Sequence, residues 1–220
     1  MGFQIAIDGP AASGKSTIAK LLAMRLGFEH LNTGATYRAV AVYLKEKGLT
    51  PSSSQKKLEE LLRNLKVDYK NGRVFVNGVD YTEKIQSPEA GILASSFAKL
   101  EVVRKHLVRI QREICDDKNI VVEGRDIGTV VLPKAALKIF LTASLDARVE
   151  RKLKEYRKRG LNVKREEVER ELIARDEQDS KRSVAPLKPA EDAVIIDTTD
   201  MTVEEVLQKI QKLVEERMKS

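Results

Sequence analysis

The feature that most constrains this chain is a glycine-rich loop close to its N-terminus. The run GPAASGKST at residues 9–17 follows the apolar segment 3–7 and precedes apolar residues at helical spacing. Two glycines separated by four residues, followed by Lys15 and Ser16, match the phosphate-binding P-loop, which requires this strand–loop–helix context. The backbone N–H groups of such a loop point at an anion near the positive end of the helix dipole. The loop therefore predicts binding of a nucleoside triphosphate.

Lys15 and Ser16 add chemistry that a simple turn between a strand and a helix would not need. Lys15 is expected to reach the β- and γ-phosphates as a point charge, with its side chain mostly facing solvent. The Ser16 hydroxyl is expected to bind Mg²⁺ together with those phosphates. The residues expected to bind the triphosphate are Gly9, Pro10, Ala11, Ala12, Ser13, Gly14, Lys15, Ser16 and Thr17.

Composition limits the classes of protein to which the chain can belong. Its 220 residues suit one core domain with appendages. The net charge of +7 favours anionic partners, either nucleic acid or nucleotides and phosphates. Cys115 is the only cysteine, which excludes an intrachain disulfide and a cysteine-based zinc site. Since no apolar segment reaches the length of about 18 residues that a membrane span needs, we expect a cytoplasmic chain.

Apolar periodicity predicts an α/β chain with an inserted antiparallel unit. Short apolar runs typical of buried parallel strands alternate with helical spacing. These runs lie at 3–7, 28–31, 120–122, 137–141 and 193–196. The hairpin signals Asn71-Gly72 and Asn77-Gly78 separate three β-rich triplets between residues 67 and 81. We therefore predict five parallel strands flanked by helices and a small three-stranded antiparallel insert.

Four segments, in order along the chain, resemble those of bacterial cytidylate kinases. They are residues 7–17 with the P-loop, TGATYR at 33–38, EGRDIGTVV at 123–131, and the polar run 175–182 followed by VAPL at 184–187. The resemblance covers nearly the full chain. It implies an α/β P-loop fold of the nucleoside monophosphate kinase type in a single domain, residues 1–220.

The resemblance also implies subdomains and a reaction. A subdomain that binds the nucleoside monophosphate (NMP) is expected at about residues 33–115, with its β insert at about 66–85, and a short lid at about 155–165. The reaction would move the γ-phosphoryl group of ATP to CMP or dCMP, with Mg²⁺ as cofactor, in pyrimidine nucleotide metabolism. The enzyme would be a monomer that binds neither nucleic acid nor membrane.

At the phosphate end of the site, the resemblance assigns roles to arginines. Arg38 and Arg125 match arginines that bind the monophosphate, and Arg182 matches a further arginine of the substrate site. Residues 157–159 are candidates for the lid over the transferring phosphoryl group, and which arginine contacts it stays open. Phosphoryl transfer gathers many negative charges, so it needs arginines and Mg²⁺ more than a general base. The catalytic residues implied are Lys15, Arg38, Arg125 and Arg159.

At the nucleoside end, the resemblance assigns polar contacts to the base and the sugar. Ser95, Arg104 and Asp126 match residues that face cytosine, and Arg175 and Asp179 match contacts to the ribose. Asp126 follows an apolar strand, at the carboxyl edge of the sheet where α/β folds bind ligands. The full substrate-binding set is Thr33, Arg38, Ser95, Arg104, Arg125, Asp126, Arg175, Asp179 and Arg182.

Two departures from the family pattern leave one question open. Thr33 stands where the family often has Ser, which keeps the hydroxyl, and Glu123 stands where Asp is more familiar. Either Glu123 or Asp8 is expected to support Mg²⁺, and the sequence does not rank them. His30 and His106 are interpreted as a loop residue and a helix-surface residue without a role in the site.

Other functions remain open at this point to different degrees. The P-loop half of the site would also suit a kinase of UMP, AMP or shikimate. A regulatory GTPase would need an Asn-Lys-x-Asp stretch to read guanine, and the sequence has none. A nucleic-acid-dependent ATPase or an RNA-binding module would fit the charge, but five Phe, five Tyr and no Trp provide few stacking platforms. The preference between CMP and dCMP, and activity toward UMP, stay undecided.

Overall fold

The computed structural model describes residues 2–219, which alternate between strands and helices along most of their length. The strands of this part are β1 (Gln4–Asp8), β2 (Glu29–Asn32), β3 (Val67–Lys70), β4 (Arg73–Val76), β5 (Val79–Asp80), β6 (Ile120–Gly124), β7 (Leu137–Thr142) and β8 (Val194–Asp197). The helices are α1 (Lys15–Leu26), α2 (Thr33–Glu46), α3 (Gln55–Arg63), α4 (Pro88–Phe97), α5 (Glu101–Cys115), α6 (Leu145–Lys158), α7 (Arg165–Ser180) and α8 (Val203–Met218). None of these helices is long and apolar enough to cross a lipid bilayer.

Five of the strands form the parallel sheet that the apolar runs predict. Their order is β2-β6-β1-β7-β8, and every neighbouring pair is parallel. β6 is buried throughout, and β1 is buried except at its first residue. Both strands are apolar almost without interruption because helices cover both faces of the sheet. The carboxyl ends of the strands meet at one edge, which lies beside the P-loop.

The helices pack on the sheet in two apolar layers. On one face, α1 and α8 bury Leu22 and Ile210 against Ile7 of β1. On the other face, α2 and α5 bury Val40 and Leu107 against strands β2 and β6. A smaller cluster joins α6 to α7 and includes Ala11 of the P-loop. The loop is therefore held between the sheet and the α6–α7 pair.

The insert forms the predicted three-stranded antiparallel sheet in the order β3-β4-β5. Both connecting turns have positive φ at each central residue, 52° and 77° at Asn71 and Gly72, and 50° and 79° at Asn77 and Gly78. Asn-Gly pairs favour this backbone conformation because Gly has no Cβ and Asn tolerates it. The insert packs on α2 and α5, so it shares the apolar layer on that face of the main sheet.

Candidate active site

The P-loop follows β1 directly, and its backbone leaves no room for side chains at its first glycine. A Cβ atom on Gly9, where φ is +153°, would lie 2.1 Å from the carbonyl oxygen of Leu141 in β7. Gly14 has φ +93° and precedes the first residue of α1, Lys15. The loop therefore ends at a helix N-terminus, where backbone N–H groups are free to bind an anion.

Lys15 is buried, which corrects the expectation that its side chain mostly faces solvent. Lys15 is 6% exposed, and its Nζ donates a hydrogen bond to the carbonyl oxygen of Pro10 at 2.8 Å. Burial lowers the pKa of Lys15 well below its usual value, and the nearby charge of Arg125 lowers it further. The ammonium group thus lies folded back on the P-loop, in a region that is already positive.

Two arginines of α6 brace the P-loop from behind, a role that the sequence reasoning missed. Arg148 donates to the carbonyl oxygen of Ala11 at 3.4 Å and pairs with Asp176 of α7 at 2.6 Å. Arg151 donates to the carbonyl oxygen of Ser13 at 3.3 Å. The spacing of Arg148 and Arg151 could have predicted that they act together, because residues three apart on a helix share a face. These contacts join the P-loop to the α6–α7 pair.

The structure distinguishes the two acids near Ser16. Both oxygens of Asp8 accept backbone N–H bonds, from Ile127 and Gly128 at 2.8 Å each, so this carboxylate holds the turn after β6. Burial raises the pKa of Asp8 to about 6 despite these bonds. Glu123, at 2% exposure, accepts a short hydrogen bond from the Ser16 hydroxyl on Oε2. Its Oε1 is buried without a hydrogen-bond partner.

Four arginines from three parts of the chain converge opposite the P-loop. Arg125 Nε pairs with Asp179 Oδ2 at 2.8 Å, and Arg182 Nη2 lies 3.5 Å from Asp179 Oδ1. Burial lowers the pKa of Arg38 and of Arg175, with a further decrease from neighbouring guanidinium groups. Burial alone would raise the pKa of Asp179, but Arg125 and the other arginines outweigh it and the pKa is lowered. Asp179 therefore remains ionised between the guanidinium groups of this cluster.

At the far end of the cleft, Arg104 of α5 and Asp126 form a buried ion pair. Their side chains are 4% and 8% exposed, and Arg104 Nη2 bonds to Asp126 Oδ2. The guanidinium carbon lies 5.7 Å from the ring centre of Tyr37. The Tyr37 hydroxyl is buried without a partner, and burial raises its pKa to about 12. This end of the cleft thus presents buried polar groups that contact one another.

One cleft of about 790 Å³ brings nearly all the predicted site residues together. Gly9 and Pro10 are the predicted residues that do not line it, because they lie behind the rest of the P-loop. The predicted residues that do line it are Ala11, Ala12, Ser13, Gly14, Lys15, Ser16, Thr17, Thr33, Arg38, Ser95, Arg104, Arg125, Asp126, Arg159, Arg175, Asp179 and Arg182. Within residues 2–219, no three His, Cys, Asp or Glu side chains are grouped to hold a metal ion by themselves.

The structure also gives the positions and contacts of Thr33, Ser95, Arg159 and His30. Thr33 is buried and donates to the backbone carbonyl of Glu123 at 2.7 Å, which ties α2 to β6. Ser95 of α4 lines the cleft, and its carbonyl accepts a bond from Gln178 at 3.3 Å. Arg159 donates to the carbonyl oxygen of Gln86 at 3.2 Å. His30 lies in β2, so the interpretation of His30 as a loop residue was wrong.

Fold and cleft define the class. A P-loop at the edge of a parallel sheet faces a cluster of partly buried arginines across one cleft, as a phosphotransferase with two phosphorylated substrates requires. The chain belongs to the cytidylate kinase family, because the family model for cytidylate kinase matches residues 5–216.

Relatives agree with this assignment, and a solved structure shares the fold. The chain is 83% identical over 220 residues to a cytidylate kinase of Thermotoga neapolitana, covering 100% of both. It is 52% identical over 219 residues to a cytidylate kinase of Thermosipho melanesiensis, again covering 100% of both. The crystal structure of an uncharacterized protein from Eubacterium ventriosum superposes with a TM-score of 0.55 at 12% identity, covering 98% of this chain and 99% of that one. This last likeness concerns the fold alone.

Proposed function

We propose that each substrate of the cytidylate kinase reaction has its own part of the cleft. The chain is an ATP-dependent kinase that transfers the γ-phosphoryl group to CMP or dCMP, as its family membership shows. The ATP phosphates bind on the P-loop, the monophosphate binds on the arginine cluster, and cytosine binds beside Arg104 and Asp126. The convergence of four partly buried arginines on the cleft beside the P-loop supports this assignment most strongly.

The arginine cluster needs an anion to be electrostatically balanced. Arg38, Arg125, Arg175 and Arg182 are held close enough to affect one another, and Asp179 is the acid that contacts two of them. Guanidinium groups stay charged at neutral pH, so an added anion would relieve the repulsion that Asp179 leaves uncompensated. A nucleotide phosphate supplies that charge, and two of its oxygens can accept the paired N–H groups of a planar guanidinium.

The transfer itself relies on positioning and charge. The attacking oxygen belongs to the monophosphate, which is ionised at neutral pH, so no general base is required. Arg38 and Arg125 orient this oxygen toward the P-loop, and Lys15 leaves the Pro10 carbonyl to neutralise charge on the transferred group. Arg38 and Arg125 already line the cleft, and cations that are held in place before the reaction stabilise developing charge more strongly than water does.

Ser16 and Glu123 fit the binding of Mg²⁺ with ATP. Oxygen donors are what Mg²⁺ prefers, and it usually keeps several waters while one or two protein groups and the phosphates complete its shell. The Ser16 hydroxyl supplies such a donor, and buried Glu123 supports it by accepting its hydrogen bond on Oε2, whereas both oxygens of Asp8 are used by backbone N–H groups. We therefore assign the supporting acid to Glu123. The ion would neutralise phosphate charge.

The nucleoside end discriminates by hydrogen bonding. Asp126 accepts from the exocyclic N4 of cytosine, and Arg104 donates to N3 and O2 of the ring, with Ser95 beside them. Uracil presents an acceptor where cytosine presents the N4 donor, so a carboxylate disfavours it. Arg175 and Asp179 contact the ribose, and a carboxylate has lone pairs enough to do so while it bonds to Arg125.

The proposal also covers the moving parts of the enzyme, its oligomeric state and its location. Residues 33–115 act as the NMP-binding subdomain, and residues 155–165 act as a lid. The lid proposal is supported by Arg159, which follows α6 directly and already reaches across to Gln86. We propose that the enzyme works as a monomer in the cytoplasm, on nucleotides and not on nucleic acid.

An acceptor panel tests the proposal. ADP release from ATP and Mg²⁺ is followed with CMP, dCMP, UMP, AMP and shikimate in turn. CMP and dCMP should show the highest kcat/KM, and Glu123→Gln should raise the Mg²⁺ requirement more than Asp8→Asn does. Preference for AMP or shikimate would refute the base-reading assignment, and equal effects of the two acid variants would refute the assignment of Glu123.

A further inference from the structure

His30 faces the one oxygen of Glu123 that lacks a partner. His30 Nε2 lies 3.4 Å from Glu123 Oε1, with side chains that are 15% and 3% exposed. Neither atom has a hydrogen-bond partner among the described residues. A buried polar atom left unpaired costs about 1–3 kcal/mol. A proton on His30 Nε2 that is donated to Glu123 Oε1 would give both atoms a partner.

We propose that His30 is a positioning residue whose Nε2–H donates to Oε1 of Glu123 and so holds Oε2 where it accepts the Ser16 hydroxyl. This inference rests on the proposed roles of Ser16 and Glu123 toward Mg²⁺ and adds a member to that site. His30 does not touch the nucleotides. It acts through Glu123.

Strand pairing brings this group together. β6 lies between β1 and β2, and Glu123 is paired in register with Ile7 of β1 and Asn32 of β2. His30 lies two residues before Asn32, so its side chain is on the same face of β2. Parallel strands keep paired side chains on a common face, which places the imidazole diagonally beside the Glu123 carboxylate.

The ring is also held from its other side. The His30 and Tyr69 rings meet edge to face, with centroids 6.1 Å apart and planes at 82°. Tyr69 belongs to β3 of the insert and is buried. The imidazole therefore lies between the insert and the carboxyl edge of the main sheet, which limits its rotation and keeps Nε2 directed at Glu123.

The direction of the hydrogen bonds from His30 to Glu123 and from Ser16 to Glu123 explains how they would favour Mg²⁺ binding. A hydroxyl has one donor and two acceptor lone pairs, and the Ser16 proton is used on Glu123. The lone pairs of Ser16 are then directed away from Glu123 and are available to a cation. If Glu123 rotated away, the hydroxyl would be free to turn its proton toward the cation instead. Outer groups that orient metal ligands commonly affect metal affinity by about 10–100-fold.

A binding measurement separates this role from general stability. The affinity for a fluorescent N-methylanthraniloyl derivative of ATP is measured with and without Mg²⁺, and the ratio of the two is compared between variants. His30→Phe keeps an aromatic ring beside Tyr69 but removes the donor, and should reduce the gain from Mg²⁺ by about tenfold while Mg²⁺-free binding stays unchanged. His30→Gln restores an N–H donor and should recover most of the gain. His106→Gln, outside the cleft, should match wild type.

Three outcomes would overturn the proposal. In wild type, long-range ¹H–¹⁵N spectra of the two histidines, assigned with His106→Gln, should show a proton on Nε2 of His30, and a bare Nε2 refutes the bond. Equal Mg²⁺ gains in His30→Phe and wild type refute the positioning role, as does an additive loss when His30→Phe is combined with Glu123→Gln. If Ser16→Ala and Glu123→Gln also leave the Mg²⁺ gain unchanged, both the proposed Mg²⁺ site and the role of His30 are refuted. If Ser16→Ala and Glu123→Gln abolish the gain while His30→Phe keeps it, only the assignment of His30 is wrong.

Discussion

Asp126→Asn tests how the cleft distinguishes cytosine from uracil. In the structure, Asp126 bonds through Oδ2 to Arg104 within a pair whose side chains are 8% and 4% exposed. In the proposed CMP complex the carboxylate would also accept a hydrogen bond from N4 of cytosine. Asn keeps the size and retains a carbonyl oxygen for Arg104, which leaves its NH₂ group toward the base. That group repels the N4 donor of cytosine and can donate to O4 of uracil.

The magnitude follows from the burial of this pair. A hydrogen bond to a charged group contributes about 1.5–3 kcal/mol. Since about 1.4 kcal/mol corresponds to tenfold in rate, kcat/KM for CMP should fall about 10–150-fold. kcat/KM for UMP should hold or rise, so the ratio between the two substrates should fall at least tenfold. The assay is coupled ADP release at substrate concentrations well below KM.

Controls separate base reading from damage to the fold. Removing one partner of a buried ion pair commonly destabilises a protein by about 3–5 kcal/mol, so Tm is measured for each variant. Asp192→Asn makes the same chemical change at an exposed carboxylate that pairs with buried Lys138 outside the cleft, and should leave the CMP/UMP ratio unaltered. If Asp126→Asn folds with a near-native Tm and keeps a wild-type ratio, Asp126 does not read the base.

Four further outcomes are expected. Lys15→Ala should lower turnover to less than about a tenth with the fold retained, because more than about 1.4 kcal/mol of charge stabilisation is lost. Arg148→Gln should raise KM for ATP but not for CMP in steady-state assays, because the P-loop loses its brace at Ala11. The pKa of Asp8 is raised from 3.8 to about 6 in the folded state, so Asp8 binds a proton on folding when the pH lies between these two values. The stability of wild type relative to Asp8→Asn, measured in urea, should therefore increase by up to about 3 kcal/mol as pH falls from 7 to 4. Duplex DNA binding should be weak and lost at physiological salt in a titration, and salt-resistant sub-micromolar binding would contradict the nucleotide assignment.

Local sequence determined most of the elements of this fold. The P-loop with its strand and helix, the Asn-Gly turns of the insert, and the last helix at Val203–Met218 all depend on residues close together in the chain. Such features are readable because turn chemistry and helical spacing act over a few residues. The resemblance to cytidylate kinases added the substrate residues, and the structure places all of them on one cleft.

Tertiary structure decided the contacts that join distant strands and helices. The ranking of Glu123 over Asp8 depends on a bond between Ser16 and Glu123, which are 107 residues apart. The brace from Arg148 to Ala11 spans 137 residues. Buried parallel strands read as similar apolar runs, so the pattern indicates that they are strands without indicating which are neighbours.

Burial of charged groups also depended on the assembled fold. From the sequence, the side chain of Lys15 is expected to face solvent until a phosphate binds. In the structure its ammonium group lies on the Pro10 carbonyl because the loop curls around it. His30 reads as an ordinary polar residue, yet the strand order β2-β6-β1 puts it against Glu123. The sequence determined which groups were present, and only the packing of sheet, insert and helices determined which of them face each other, because that depends on register between strands far apart in the chain.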